Sequence, residues 1–130
     1  MLSRLSRLTL VVILLFVLLS AVTACKGGEE QAISGEIKIE AGEFYFNPAS
    51  ITVKAGTPVK FAVTNAGKIE HDFSFPSLGA THAHGEAGHI LPGETDSLEI
   101  TFDRPGDYIF DCSLPGHADA GMKGTVKVVK

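Results

Sequence analysis

The chain has 130 residues, a formal net charge of −4 from eleven basic and fifteen acidic side chains, and 45% hydrophobic residues. That length holds one domain once a targeting segment is set aside, and the acidic balance offers no basic face to a nucleic acid. Two cysteines are too few for a disulfide framework.

Arg4 and Arg7 precede an apolar run, Leu8 to Ala21, broken only by Thr9 and Ser20, and Val22-Thr23-Ala24 places small residues before Cys25. This pattern predicts a secretory signal over 1–24, too short and wrongly flanked for a comfortable membrane span, with an uncleaved anchor helix as the alternative. Either way the domain is exported. Val22-Thr23-Ala24-Cys25 also resembles the bacterial lipoprotein signal, and that resemblance implies that Cys25 carries lipid after cleavage. Residues 25–34 are polar and pattern-free, as a flexible tether should be. With Cys25 lipidated, Cys112 is a lone thiol in an oxidising compartment, a liability unless buried or bound to metal. A Cys25–Cys112 disulfide is the other reading, and it would only tie a tail to the core.

Residues 35–130 read as strands and turns. Glu36 to Glu40 alternates as a half-buried strand does. Glu43 to Phe46 is aromatic-rich and stops at Asn47-Pro48. Ser50 to Lys54 and Pro58 to Thr64 alternate again, ending at Ala55-Gly56 and Asn65-Ala66-Gly67. Ile69 to Phe75 follows, then a long loop to Pro92-Gly93 that carries His82, His84 and His89. Ser97 to Phe102, Tyr108 to Cys112 and Gly124 to Val129 complete the set. Seven or eight short strands at this spacing predict an all-β fold, a two-sheet antiparallel Greek-key β-sandwich.

The alternation also places chemistry. Tyr108, Phe110 and Cys112 share one face, and two aromatics mark it as the inner one. His71 shares its face with Phe73 and Phe75. After Cys112 a turn, Ser113-Leu114-Pro115-Gly116, leads to His117 and then Met122. One loop therefore offers a thiolate, an imidazole and a thioether, with His71 arriving from another strand. Two His and one Cys with a weak axial Met is the donor set of electron-transfer copper. Zinc sites usually favour more thiolates and rarely use Met.

The run Tyr108-Ile109-Phe110-Asp111-Cys112-Ser113-Leu114-Pro115-Gly116-His117, with Gly121-Met122 and Gly124-Thr125-Val126, resembles the copper loop of the cupredoxins, the blue (type 1) copper proteins. Asn65-Ala66-Gly67 and His71-Asp72-Phe73 resemble the segment bearing that family's first histidine. The Cys-x4-His-x4-Met spacing is closer to rusticyanin, auracyanin and sulfocyanin than to plastocyanin. The resemblance spans the mature domain and implies one type 1 copper bound by His71, Cys112, His117 and Met122. Where many cupredoxins have Asn after the first histidine, this chain has Asp72. A carboxylate lacks donors when ionised, and its charge near copper would favour the oxidised state.

The expectation is a non-enzymatic, monomeric electron carrier, anchored by lipid outside the cytoplasmic membrane and serving redox proteins of an extracytoplasmic electron-transport chain. The alternative is a protein of copper capture or delivery, with His82, His84 and His89 as an entry site. A flexible polar loop whose histidines bind nothing is the simpler account of those three. An oxidase would need further copper sites and a second domain, and the chain has one cysteine available for one mononuclear site.

Overall fold

The computed structural model describes residues 32–83 and 89–130. The expected signal segment 1–24, Cys25 and His84 lie outside the described residues. Among the described residues, nine strands form two sheets: β1 Gly35–Gly42, β2 Tyr45–Asn47, β3 Ser50–Lys54, β4 Pro58–Asn65, β5 Phe73–Phe75, β6 Ala80–Ala83, β7 Thr95–Thr101, β8 Gly106–Asp111 and β9 Lys123–Val129. One sheet has the order β2-β1-β4-β7 and the other β3-β9-β8-β5-β6. This is the expected two-layer all-β sandwich.

The sheets are mixed, not purely antiparallel: β1 pairs with β4 and β3 with β9 in parallel register. The cause is how the chain changes sheets. β2 runs antiparallel to β1, and the chain crosses at Asn47–Pro48 into β3 without reversing direction. Only two reversals therefore separate β1 from β4, so the two strands run alike. Alternation of apolar residues specifies which face is buried and says nothing about a neighbour's direction.

Burial follows the alternation where one face meets solvent. In β4, Val59, Phe61 and Val63 are buried, and in β8, Phe110 is buried while Ile109 is exposed. The segment over Ile69 to Phe75 departs from this. Only Phe73–Phe75 is strand, and Asp72 and Ser74 are buried along with their apolar neighbours. The long loop also holds more structure than expected, a 3-10 turn at Pro76–Leu78 and the edge strand β6.

Between the sheets, Phe46, Phe61, Phe73, Phe75, Phe102 and Phe110 interlock. Phe73 and Phe110 centre 5.0 Å apart, and Phe73 meets Phe75 edge-on at 5.3 Å. Such rings bury large areas and prefer tilted or edge contacts. The C-terminal ends of β1, β4 and β8 and the starts of β5 and β9 all lie at one pole of this core. The loop from Cys112 to Met122 emerges there.

Candidate metal centre

Three donors converge at that pole. Nitrogen atoms of His71 and His117 and Sγ of Cys112 all lie within 4.8 Å of one another. Cys112 follows β8 directly, so the strand's inward face aims its sulfur at the interior. His71 is held by a two-way bridge: its N–H donates to Ile90 O at 3.1 Å and Ile90 N–H donates to His71 O at 2.7 Å. His117 follows a turn in which its N–H donates to Leu114 O at 3.1 Å, and its Nδ1 stands 3.4 Å from Cys112 Sγ. Met122 is fully buried, and its N–H donates to His117 O at 3.0 Å while its carbonyl accepts from Cys112 N–H at 3.2 Å. The structure thus gathers the donor atoms of His71, Cys112 and His117, with the backbone of buried Met122 bonded to both Cys112 and His117.

Two polar side chains hold this arrangement, and the sequence pattern assigned neither its partners. Asn65 is fully buried. Its amide donates to Ile69 O and to Ile90 O, both at 2.8 Å, and its carbonyl accepts from Gly67 N–H at 2.9 Å. One side chain therefore ties β4 to the segments on both sides of His71. Asp72 is buried too, and it braces the cysteine loop purely as an acceptor. Ser113 N–H donates to Oδ1 at 2.6 Å and the Ser113 hydroxyl donates to Oδ2. Ser113 supplies both protons, so the bracing needs no amide at position 72. The Asp72 N–H in turn donates to Cys112 Sγ at 3.5 Å.

Asp72→Asn keeps an acceptor for Ser113 but removes a charge from the shell of the site. We expect the reduction potential of the copper-loaded protein to rise, by voltammetry. A full charge in a partly solvated shell is worth a few kcal/mol, so the shift is on the order of 100 mV. An unchanged or lower potential would show that the carboxylate's charge is not felt at the metal.

The donors fit a soft metal. Both ring nitrogens of His71 are buried without a hydrogen-bond partner. A neutral imidazole has one donor and one acceptor to satisfy, and leaving such groups unpaired in the interior is costly. A metal bond to one nitrogen removes part of that penalty. Burial, then the neighbouring His117, holds the His71 imidazole below its ordinary pKa, so it presents a neutral nitrogen at pH 7. Burial pushes the Cys112 thiol up to about 11. A metal bound through the thiolate must therefore expel a proton, and affinity rises with pH across the neutral range. Cys112 is a free cysteine.

His82 falls on β6, and His89 is half-buried just before Ile90. Among the described residues, His71, Cys112 and His117 are the one cluster of three or more metal-ligating His, Cys, Asp or Glu side chains.

Comparison with known proteins agrees with this geometry. The family model described as a cupredoxin-like domain matches residues 9–128. A copper-resistant cuproprotein CopI from Rubrivivax gelatinosus is 33% identical over 97 residues, 64% of this chain and 59% of that protein. This chain therefore spans little more than half the length of that relative. A plastocyanin from Scenedesmus fuscus is 34% identical over 102 residues, 74% of this chain and 98% of its own length. Among solved structures, a dithionite-reduced auracyanin from Roseiflexus castenholzii superimposes with a TM-score of 0.63 at 19% identity, covering 77% of this chain and all of that one. Fold, donor set and family match coincide: the chain belongs to the cupredoxin-like family and is a copper-binding protein.

Proposed function

We propose that this protein carries single electrons between redox proteins outside the cytoplasmic membrane, with His71, Cys112, His117 and Met122 as the ligands of one type 1 copper. The observation that carries the reading is the pair of unpartnered nitrogens on fully buried His71, set beside a buried thiol and a second imidazole. Copper supplies the one-electron couple, and the chain supplies a fixed shell. Asn65 and Asp72 hold the two ligand-bearing segments by five hydrogen bonds to the backbone and to Ser113. A shell held by the protein's own bonds changes little between oxidation states.

The domain is a monomer without catalytic chemistry in this reading, residues 35–130 behind a tether at 25–34 and a cleaved signal at 1–24. Lipid on Cys25 anchors it to the membrane. β1 enters at the pole opposite the donors, since Gly35 pairs with Val59 near the start of β4. Eight extended residues span roughly 25 Å. An anchor at that end leaves the copper pole facing away from the bilayer, where His117 offers the short route to a partner.

A copper-handling role is the second reading, favoured by the description of the CopI relative as copper-resistant. Cupric ion added to the purified protein separates the two. Intense blue or green colour supports the carrier, whereas a colourless protein that binds only cuprous ion supports handling. In the carrier, Ala118→Lys or Ala120→Glu slows electron transfer to the natural partner with spectrum and potential nearly unchanged. Replacing His82, His84 and His89 together by alanine leaves the copper site intact. Failure of the triple variant to load copper in cells, with unaltered transfer rates in the two loop variants, would make handling the better account.

A further inference from the structure

The hairpin joining β1 to β2 turns on Glu43 and Phe44, because Gly42 and Tyr45 are paired across it. Phe44 lies at φ 67°, the one non-glycine residue with positive φ among the described residues. Side chains larger than Gly or Asn are disfavoured there, since the β-carbon crowds the following carbonyl. Burial does not account for the choice, because Phe44 is 41% exposed. Backbone strain persists only where the surroundings enforce it, and it clusters at functional sites.

The surroundings are the two histidine-bearing loops. The Phe44 ring meets the His117 imidazole edge-on, with centroids 5.3 Å apart and planes at 88°. On the inner side, the His71 ring stands 5.2 Å from His117 at 63°. The Phe44 carbonyl lies 3.7 Å from where a β-carbon on Gly121 would be, within the loop between His117 and Met122. The neighbouring Glu43 carboxylate accepts the Lys68 N–H. It also sits 2.8 Å from a β-carbon position on Gly67. The hairpin tip is therefore tied to the segment before His71 and lies against the loop that carries His117. The residues flanking His117 in that loop, Gly116 and Ala118, have no side chain long enough to wedge the imidazole.

We propose that Phe44 is a positioning residue for His117. Its ring fixes the rotation of the imidazole so that Nδ1 faces Cys112, and it closes the outer side of that imidazole, while Glu43 holds the hairpin tip in place. The inference rests on the reading of His117 as a copper ligand.

Phe44→Gly tests it, because glycine relieves the left-handed backbone while removing the ring. Thermal unfolding of the metal-free variant should therefore be no easier than that of the parent. In the metal-free protein, nuclear magnetic resonance should show one sharp set of His117 ring signals for the parent and for Phe44→Tyr. Broadened or doubled signals are expected for Phe44→Gly and for Phe44→Asn, which also suits positive φ. In the copper-loaded protein, release of cuprous ion to an excess of chelator should be about three- to tenfold faster in the glycine variant, the worth of one aromatic edge contact, and normal in the tyrosine variant. Unchanged His117 signals together with an unchanged release rate in Phe44→Gly would overturn the proposal. Failure of the ligand reading looks different: His117→Ala would then hold copper as tightly as the parent, whatever the ring signals report.

Discussion

Serine at position 112 is expected to abolish the intense visible absorption of the copper-loaded protein. The band requires charge transfer from a thiolate, and a serine hydroxyl stays protonated and is a far harder donor. Copper retention should fall by more than the roughly 10–100-fold that follows loss of a mere outer-shell partner. The fold should survive. Serine is slightly smaller than cysteine, and the Asp72 N–H that points at Sγ in the parent, at 3.5 Å, remains available to the new oxygen. Absorption spectra and chelator competition on the two proteins, with thermal unfolding of both metal-free forms, make the comparison. A full visible band in the serine variant would refute Cys112 as a ligand.

The second large effect is expected away from the metal. Asn65→Ala removes three hydrogen bonds at once: the Ile69 carbonyl and the Gly67 N–H lose this partner, and the Ile90 carbonyl keeps only the His71 N–H. An unsatisfied buried group costs about 1–3 kcal/mol, and the two bonds lost outright are only part-buried, so we expect a loss of roughly 1–3 kcal/mol by urea unfolding. Copper affinity should fall with it, because Ile90 pairs with His71 through both backbone groups. Asn65→Asp sharpens the test. It keeps the acceptor for Gly67 but points an oxygen at two carbonyls, so the protonated acid is the form the native state favours. Its pKa is then raised on folding. Stability is retained below the unfolded carboxyl pKa and lost as pH rises through the folded one. An alanine variant as stable as the parent would show that Asn65 is only a turn residue.

The contrast between those two residues measures what the chain discloses. Cys112 was legible because alternation with Tyr108 and Phe110 set its face, and because its distance to His117 and Met122 falls within one loop. Asn65 was legible only as part of a turn, Asn65-Ala66-Gly67. Its buried amide reaches Ile90, twenty-five residues away, and no local pattern encodes such a partner. The same holds for Ser113, whose two donors make Asp72 a working brace. Phe44 read as part of an aromatic strand, whereas it occupies the turn itself with positive φ.

Composition and alternation by themselves determined the all-β sandwich, the buried faces of β4 and β8, and the chemical softness of the donor set. Those are properties of residues a few positions apart, where the pleat of a strand dictates the face and the element dictates the donor. Only the tertiary structure decided that β1 pairs with β4 and β3 with β9 in parallel. It alone brought His71 within 4.8 Å of Cys112 and His117, and laid Phe44 against His117. These depend on which sheet the chain enters after Asn47–Pro48 and on hydrogen bonds between segments far apart in sequence. Such long-range choices are settled by the packing of the whole core.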